Sequence, residues 1–172
     1  MEVYREIVPN YEEFVDTLKK PQPITARVNS LKAGIKDVEN SLKEEGIKTE
    51  RVGWNSNFLK VDFHPGKTLP HWLGKIYVQE LTSGIPPMVL RPSKGENVLD
   101  LCASPGSKTT QMSAMMENRG MIHANDVRSN RIRALLSNLY RIGCINVRVT
   151  QRDGMHFPED EKFDKVLVDA PC

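Results

Sequence analysis

The chain has 172 residues, 39% of them apolar and 27% charged, with a formal net charge of +2, the make-up of one full globular domain or two small ones. Disordered and collagen-like classes are excluded, and charge or proline interrupts each apolar stretch before it could span a membrane. The opening Met-Glu-Val-Tyr-Arg-Glu lacks a secretory h-region, so a cytoplasmic location is expected.

In chain order, residues 4–20 place Tyr4, Ile7, Val8, Tyr11, Phe14, Val15 and Leu18 at mostly helical intervals, which predicts a helix or a helix pair broken at Pro9. Residues 27–30 predict a strand, 35–45 an amphipathic helix stopped by Gly46, and 47–54 and 58–63 two further extended runs. These make a small α+β module. Pro65, Gly66 and Pro70 mark 64–74 as a loop, and the junction between a first domain, 1–72, and a second, 73–172, is placed there. Beyond it, 77–90 reads as a short helix reaching Pro86 and Pro87. Strands at 97–101, 121–125, 146–150 and 165–168 follow, with helices beginning near Ser107 and Arg128. That alternation predicts an α/β domain with a parallel, Rossmann-like sheet.

The first of these strands ends at Asp100 and feeds the small-residue loop Ala103-Ser104-Pro105-Gly106-Ser107, at the place where open α/β sheets bind ligands. The loop has neither the P-loop spacing nor G-x-G-x-x-G. Asp126 follows the glycine by about 20 residues, where an acid accepts hydrogen bonds from ribose hydroxyls. Asp153 and Asp169 follow the third and fourth strands, so Asp100, Asp126, Asp153 and Asp169 ring one expected crevice. A cationic, hydroxyl-bearing ligand suits such a crevice, and S-adenosyl-L-methionine has both properties. A methyltransferase is therefore the leading class.

The cysteines, Cys102, Cys144 and Cys172, form no C-x-x-C pair and have no histidine at zinc-ligand spacing, so neither a metal nor a disulfide framework is expected. Cys102 and Cys144, among apolar neighbours, read as core residues. His64, His71, His123 and His156 are dispersed and carry no assigned role. Arginines gather in the second half (119, 128, 131, 133, 141, 148 and 152), a candidate basic face for nucleic acid.

Four runs together carry a resemblance: Asp-Leu-Cys-Ala-Ser-Pro-Gly-Ser-Lys-Thr at 100–109, Ala-Asn-Asp at 124–126, Asp-Gly-Met-His-Phe-Pro at 153–158 and Asp-Ala-Pro-Cys at 169–172. The chain resembles the Sun/Nop type of RNA (cytosine-5) methyltransferase. Residues 27–32 are similar to that family's entry into an RRM-like N-terminal module, and 77–83 to its pre-catalytic helix. The resemblance implies that Cys102, Ala103, Ser104, Pro105, Gly106, Ser107 and Lys108 cradle the methionine moiety, Asp126 binds ribose, Asp153 lies near adenine, and Arg131 flanks the site. It also implies that Asp169, beside the cofactor, hydrogen-bonds the target base. Ser104 and Ser107 stand where many members have alanine and glycine.

In that family a cysteine thiolate adds to cytosine carbon 6, the methyl transfers to carbon 5, and the adduct is eliminated. The attacking cysteine belongs to a later motif, and the cysteine of Asp-Ala-Pro-Cys, here Cys172, assists elimination. The alternative for Cys172 is the attacking role, as in DNA cytosine-5 methyltransferases. The sequence ends before the later motif, so the resemblance implies a Rossmann-like domain that is incomplete, with the rest on a longer chain or a second polypeptide. The implied partner is tRNA or rRNA, its base flipped or single-stranded. Trp54, Phe58 and Phe63 are candidates for base stacking on the RRM-like sheet, with core packing as the competing role. A catalytically silent RNA-binding or assembly subunit remains the alternative. An amino methyltransferase is disfavoured, because Asp-Ala-Pro-Cys replaces the usual Asn/Asp-Pro-Pro-aromatic.

Overall fold

The computed structural model describes residues 2–158 and 160–170. After a 3-10 turn at Glu2–Tyr4 and helix α1 (Tyr11–Lys19) comes a β-α-β-β-α-β run. Its elements are β1 (Ile24–Val28), α2 (Ile35–Glu44), β2 (Thr49–Val52), β3 (Asn55–Val61), α3 (Leu69–Trp72) and β4 (Ile76–Val78). The strands form one antiparallel sheet in the order β2-β3-β1-β4, the split arrangement of two interleaved β-α-β halves. Val38 and Leu42, one turn apart on α2, pack on Ala26, Val28, Leu59 and Ile76 to make its core.

β4 departs from expectation in two ways. It lies past residue 72, so the first sheet runs across the expected junction, and it places Tyr77 and Val78 in a strand where a helix over 77–90 is expected. These β-favouring residues pair with Arg27 and Ala26, and the helical part of the span is a 3-10 turn at Thr82–Gly84 running into α4 (Ile85–Leu90).

The second half contains β5 (Asn97–Asp100), α5 (Ser107–Met115), β6 (Met121–Asn125), α6 (Ser129–Ile142), β7 (Val147–Thr150) and β8 (Lys165–Leu167). All four strands are parallel, in the order β7-β6-β5-β8, which is the Rossmann-like arrangement expected, with its chain reversal at β5. Met112 and Met116 of α5 pack on Val98, Ile122 and Leu167, while Leu135 and Leu139 of α6 pack on Ala103 and Ala124. On the opposite face, Phe163 meets the His123 ring edge-on at 5.1 Å and Phe157 adjoins it.

The two sheets are joined by a buried polar seam. Arg27, 3% exposed, donates through Nε to Gln79 Oε1 (2.7 Å) and through Nη2 to Thr110 Oγ1 (2.8 Å). Gln79 Nε2 donates to Gln111 Oε1 (2.9 Å), and Gln111 Nε2 to the Gly84 carbonyl (2.8 Å). Residues 109–114 of α5, mostly polar, are buried there with partners for their side chains.

This seam covers the sheet face that an RRM would offer to bases. Phe58 is fully buried against Gly84, where an added Cβ would lie 2.6 Å from its ring, so the stacking role is corrected to packing. Trp54 and Phe63 remain exposed.

Candidate cofactor site

β5 is buried from Val98 onward, as a central parallel strand requires, and delivers Asp100 to the carboxyl edge of the sheet. The chain turns through 101–106 into α5, with Gly106 at φ 102 and its missing Cβ 2.9 Å from Leu135 Cδ1. A side chain at Gly106 would meet both an unfavourable backbone and a packed neighbour.

Neighbouring strand ends hold this loop. Ala103 N–H donates to the Asn125 carbonyl (2.8 Å) and Ser104 N–H to Asp126 Oδ2 (3.3 Å). Arg131 Nη2 donates to the Ser104 carbonyl (2.7 Å), and the Ser104 hydroxyl donates back to the Arg131 carbonyl. Asp126 is 2% exposed; it also accepts from Arg128 N–H (3.1 Å) and stands 3.5 Å from Arg131 Nε. A carboxylate offers about four acceptor sites, so capacity remains for a ligand hydroxyl.

Asn125, to which the sequence assigned no role, ties the strand ends together. Its Nδ2 donates to the carbonyls of Leu101 (3.1 Å) and Arg152 (3.0 Å), and its Oδ1 accepts from the Thr150 hydroxyl (2.9 Å) and Arg152 N–H (3.0 Å). An amide closing an apolar strand was the available signal, since a buried side chain of that kind must be satisfied.

The acids are not equivalent. Asp126 and Asp153 line a cavity of about 450 Å³, together with Cys102, Arg131, Met155 and Val168 among others. Asp100 instead turns inward, accepting from the Thr109 hydroxyl (2.7 Å), while its Oδ1 is buried without a partner among the described residues. Burial pushes its pKa up to about 6. Asp169 is half-exposed and pairs with Lys108 Nζ at 2.6 Å, and that ammonium also donates to Ser83 Oγ (3.2 Å). Asp153 caps the Gly154–His156 turn by accepting from Met155 N–H (3.0 Å). Ala103, Ser104, Pro105, Gly106, Ser107 and Lys108 form the loop and helix start beside the cavity. Burial, then the Asp126 and Asp100 carboxylates, raises the Cys102 pKa, so Cys102 is a neutral wall residue and a poor nucleophile at neutral pH. Pro171 and Cys172 lie outside the described residues.

A model of the 16S rRNA methyltransferase RsmB/F family matches residues 87–172, and one of the N-terminal domain of 16S rRNA methyltransferase RsmF matches 1–81. The chain belongs to the RsmB/F family. It is 43% identical to the tRNA (cytosine(49)-C(5))-methyltransferase of Pyrococcus abyssi, over 94% of this chain and 53% of that one. With the human 28S rRNA (cytosine(4447)-C(5))-methyltransferase it shares 36% identity, over 93% of this chain and 20% of the relative. The crystal structure of PH0851 superposes with a TM-score of 0.92 at 36% identity, covering 99% of this chain and 40% of the other. The chain thus spans about half the length of its archaeal relative or less of the others.

S-adenosylmethionine is the cofactor of this family, and the residues present fit it. The Asp126 carboxylate on the cavity wall would accept from a ribose, and the Asp100 carboxylate, buried behind it with an oxygen unpartnered among the described residues, would add negative potential for a sulfonium. Val127, Met155 and Val168 supply apolar wall, and Gly106 lets the loop turn with positive φ close against Leu135.

Proposed function

We propose that the chain is the cofactor-binding portion and N-terminal module of an S-adenosylmethionine-dependent RNA (cytosine-5) methyltransferase acting on tRNA or rRNA. Further chain, or a second polypeptide, completes the catalytic domain. The observation that carries this reading is the crevice at the carboxyl ends of β5, β6 and β7, where Asp126, Arg131 and Asp153 converge beside the Gly106 loop.

The bound cofactor supplies the electrophilic methyl group. Asp126 accepts from the ribose, and the loop 102–106 with the start of α5 holds the methionine end. Val127 and Met155 flank the adenine, with Asp153 at its rim. Asp169, held by Lys108 just past β8, hydrogen-bonds the entering base, and Cys172, three residues further on, assists elimination of the adduct. Because Phe58 and Arg27 are buried, RNA is contacted outside the covered sheet face, by the exposed arginines near the crevice such as Arg128 and Arg133.

Calorimetric titration of the purified chain with S-adenosylmethionine, beside Asp126→Ala, tests the reading. Saturable binding, weakened about tenfold or more in the variant by loss of a charged acceptor, is the expected result. No binding by a folded wild-type chain would favour a silent RNA-binding or assembly subunit instead.

A further inference from the structure

We infer that Asn138 and Arg141 of α6 are positioning residues for the cofactor loop, through which the N-terminal module fixes the loop's carbonyl at Pro105. This rests on the cofactor reading above. Arg131, Leu135, Asn138 and Arg141 follow one another at spacings of four, three and three, so they share one face of the helix.

Along that face the helix meets the loop residue by residue. Arg131 exchanges two hydrogen bonds with Ser104, and Leu135 fills the space beside Gly106. Asn138 Nδ2 then donates to the Pro105 carbonyl at 2.9 Å. Proline has no N–H, so at that residue the carbonyl is the backbone's only hydrogen-bonding handle.

Asn138 is itself oriented by Arg141, whose Nη2 donates to Asn138 Oδ1 (3.1 Å). Arg141 is fastened to the first module. Its Nη1 donates to the carbonyls of His71 and Ile76, both at 3.0 Å, and its guanidinium lies 5.5 Å from the centre of the Tyr77 ring. The Arg27 guanidinium lies 5.7 Å from the same ring, and Tyr77 Oη reaches back to the Pro105 carbonyl at 3.5 Å. Lys32 Nζ closes the end of the helix by donating to the Arg141 carbonyl (2.7 Å). The path from the first sheet to the cofactor loop is therefore continuous: the His71 and Ile76 carbonyls and the Tyr77 ring, Arg141, Asn138, Pro105.

Asn138→Asp separates positioning from mere structural support. The aspartate still accepts from Arg141, with added charge attraction, but it cannot donate to Pro105 and sets a carboxylate against that carbonyl. The expected result is unchanged or higher thermal stability with an S-adenosylmethionine Kd raised about five- to tenfold, the value of one lost hydrogen bond. Asn138→Ala should raise the Kd similarly. Leu42→Ala, in the core of the first module and away from this path, should lower the melting temperature and leave the Kd unchanged when measured below it. A wild-type Kd in Asn138→Asp, or an equal rise in Leu42→Ala, overturns the inference while the cofactor reading stands. A folded wild-type chain that does not bind removes both.

Discussion

Asp100 is a carboxylate that the fold holds almost wholly out of water; among the described residues it has a hydrogen bond from Thr109 and one oxygen unpartnered. Burial raises its pKa from 3.8 to about 6, so folding favours the protonated form. The stability this group contributes is full below about pH 4 and is lost as pH rises through about 6. Asp100→Asn removes that dependence. Measured by urea denaturation, the difference between variant and wild type should move in the variant's favour by about 3 kcal/mol from acid to neutral pH. A constant difference across that range would remove burial as the cause. Holding such a group buried beneath the 101–106 loop is costly, and a cationic ligand nearby would offset the cost.

At the scale of elements, β5, β6 and α2 were legible because hydrophobic period and strand length agree there. The strand Met121–Asn125 and the helix start at Ser107 fall where the sequence places them. β4 was not legible, because a three-residue strand has no period of its own; its pairing with β1 decides it. Nor was the burial of α5, whose Thr109, Thr110, Gln111 and Ser113 look like a solvent face until Arg27, Gln79, Asp100 and Asn146 are brought to them from elsewhere in the chain. The 101–106 loop and Asp126 lie together at neighbouring strand ends, the placement the sequence predicts. The separate fates of Asp100 and Asp169 depend on side-chain direction and on Lys108, neither of which a pattern of strand ends can report. The sharpest contact between elements is at Gly74, with φ +69, where a Cβ would stand 1.8 Å from the Arg141 carbonyl. Gly74→Ala should cost about 2 kcal/mol or more, by chemical denaturation; a loss of only a few tenths would mean that the helix end yields.

Across the whole molecule, the antiparallel and parallel sheets have separate apolar cores but share the Arg27, Gln79, Gln111 and Gly84 seam. Arg27 stays cationic there, although burial lowers its pKa to about 10. Among the described residues no carboxylate forms an ion pair with it; neutral oxygens and the Tyr77 ring surround it. Buried polar groups that satisfy one another across an interface make its two sides cooperative. Scanning calorimetry should therefore give a single transition for the wild-type chain. Arg27→Ala, which leaves Gln79 Oε1 without its donor and opens a cavity, should cost about 3 kcal/mol and separate the transition into two. Two transitions already in the wild type would show that the sheets melt independently.

The seam also constrains inheritance. A parallel-sheet domain that received a different N-terminal module in place of this one would arrive with Thr110, Gln111 and the Pro105 carbonyl facing a stranger's surface. Exchange could succeed only if the newcomer brought a guanidinium and a carboxamide to the same points. In this family the N-terminal module and the parallel-sheet domain are expected to travel as a single heritable unit.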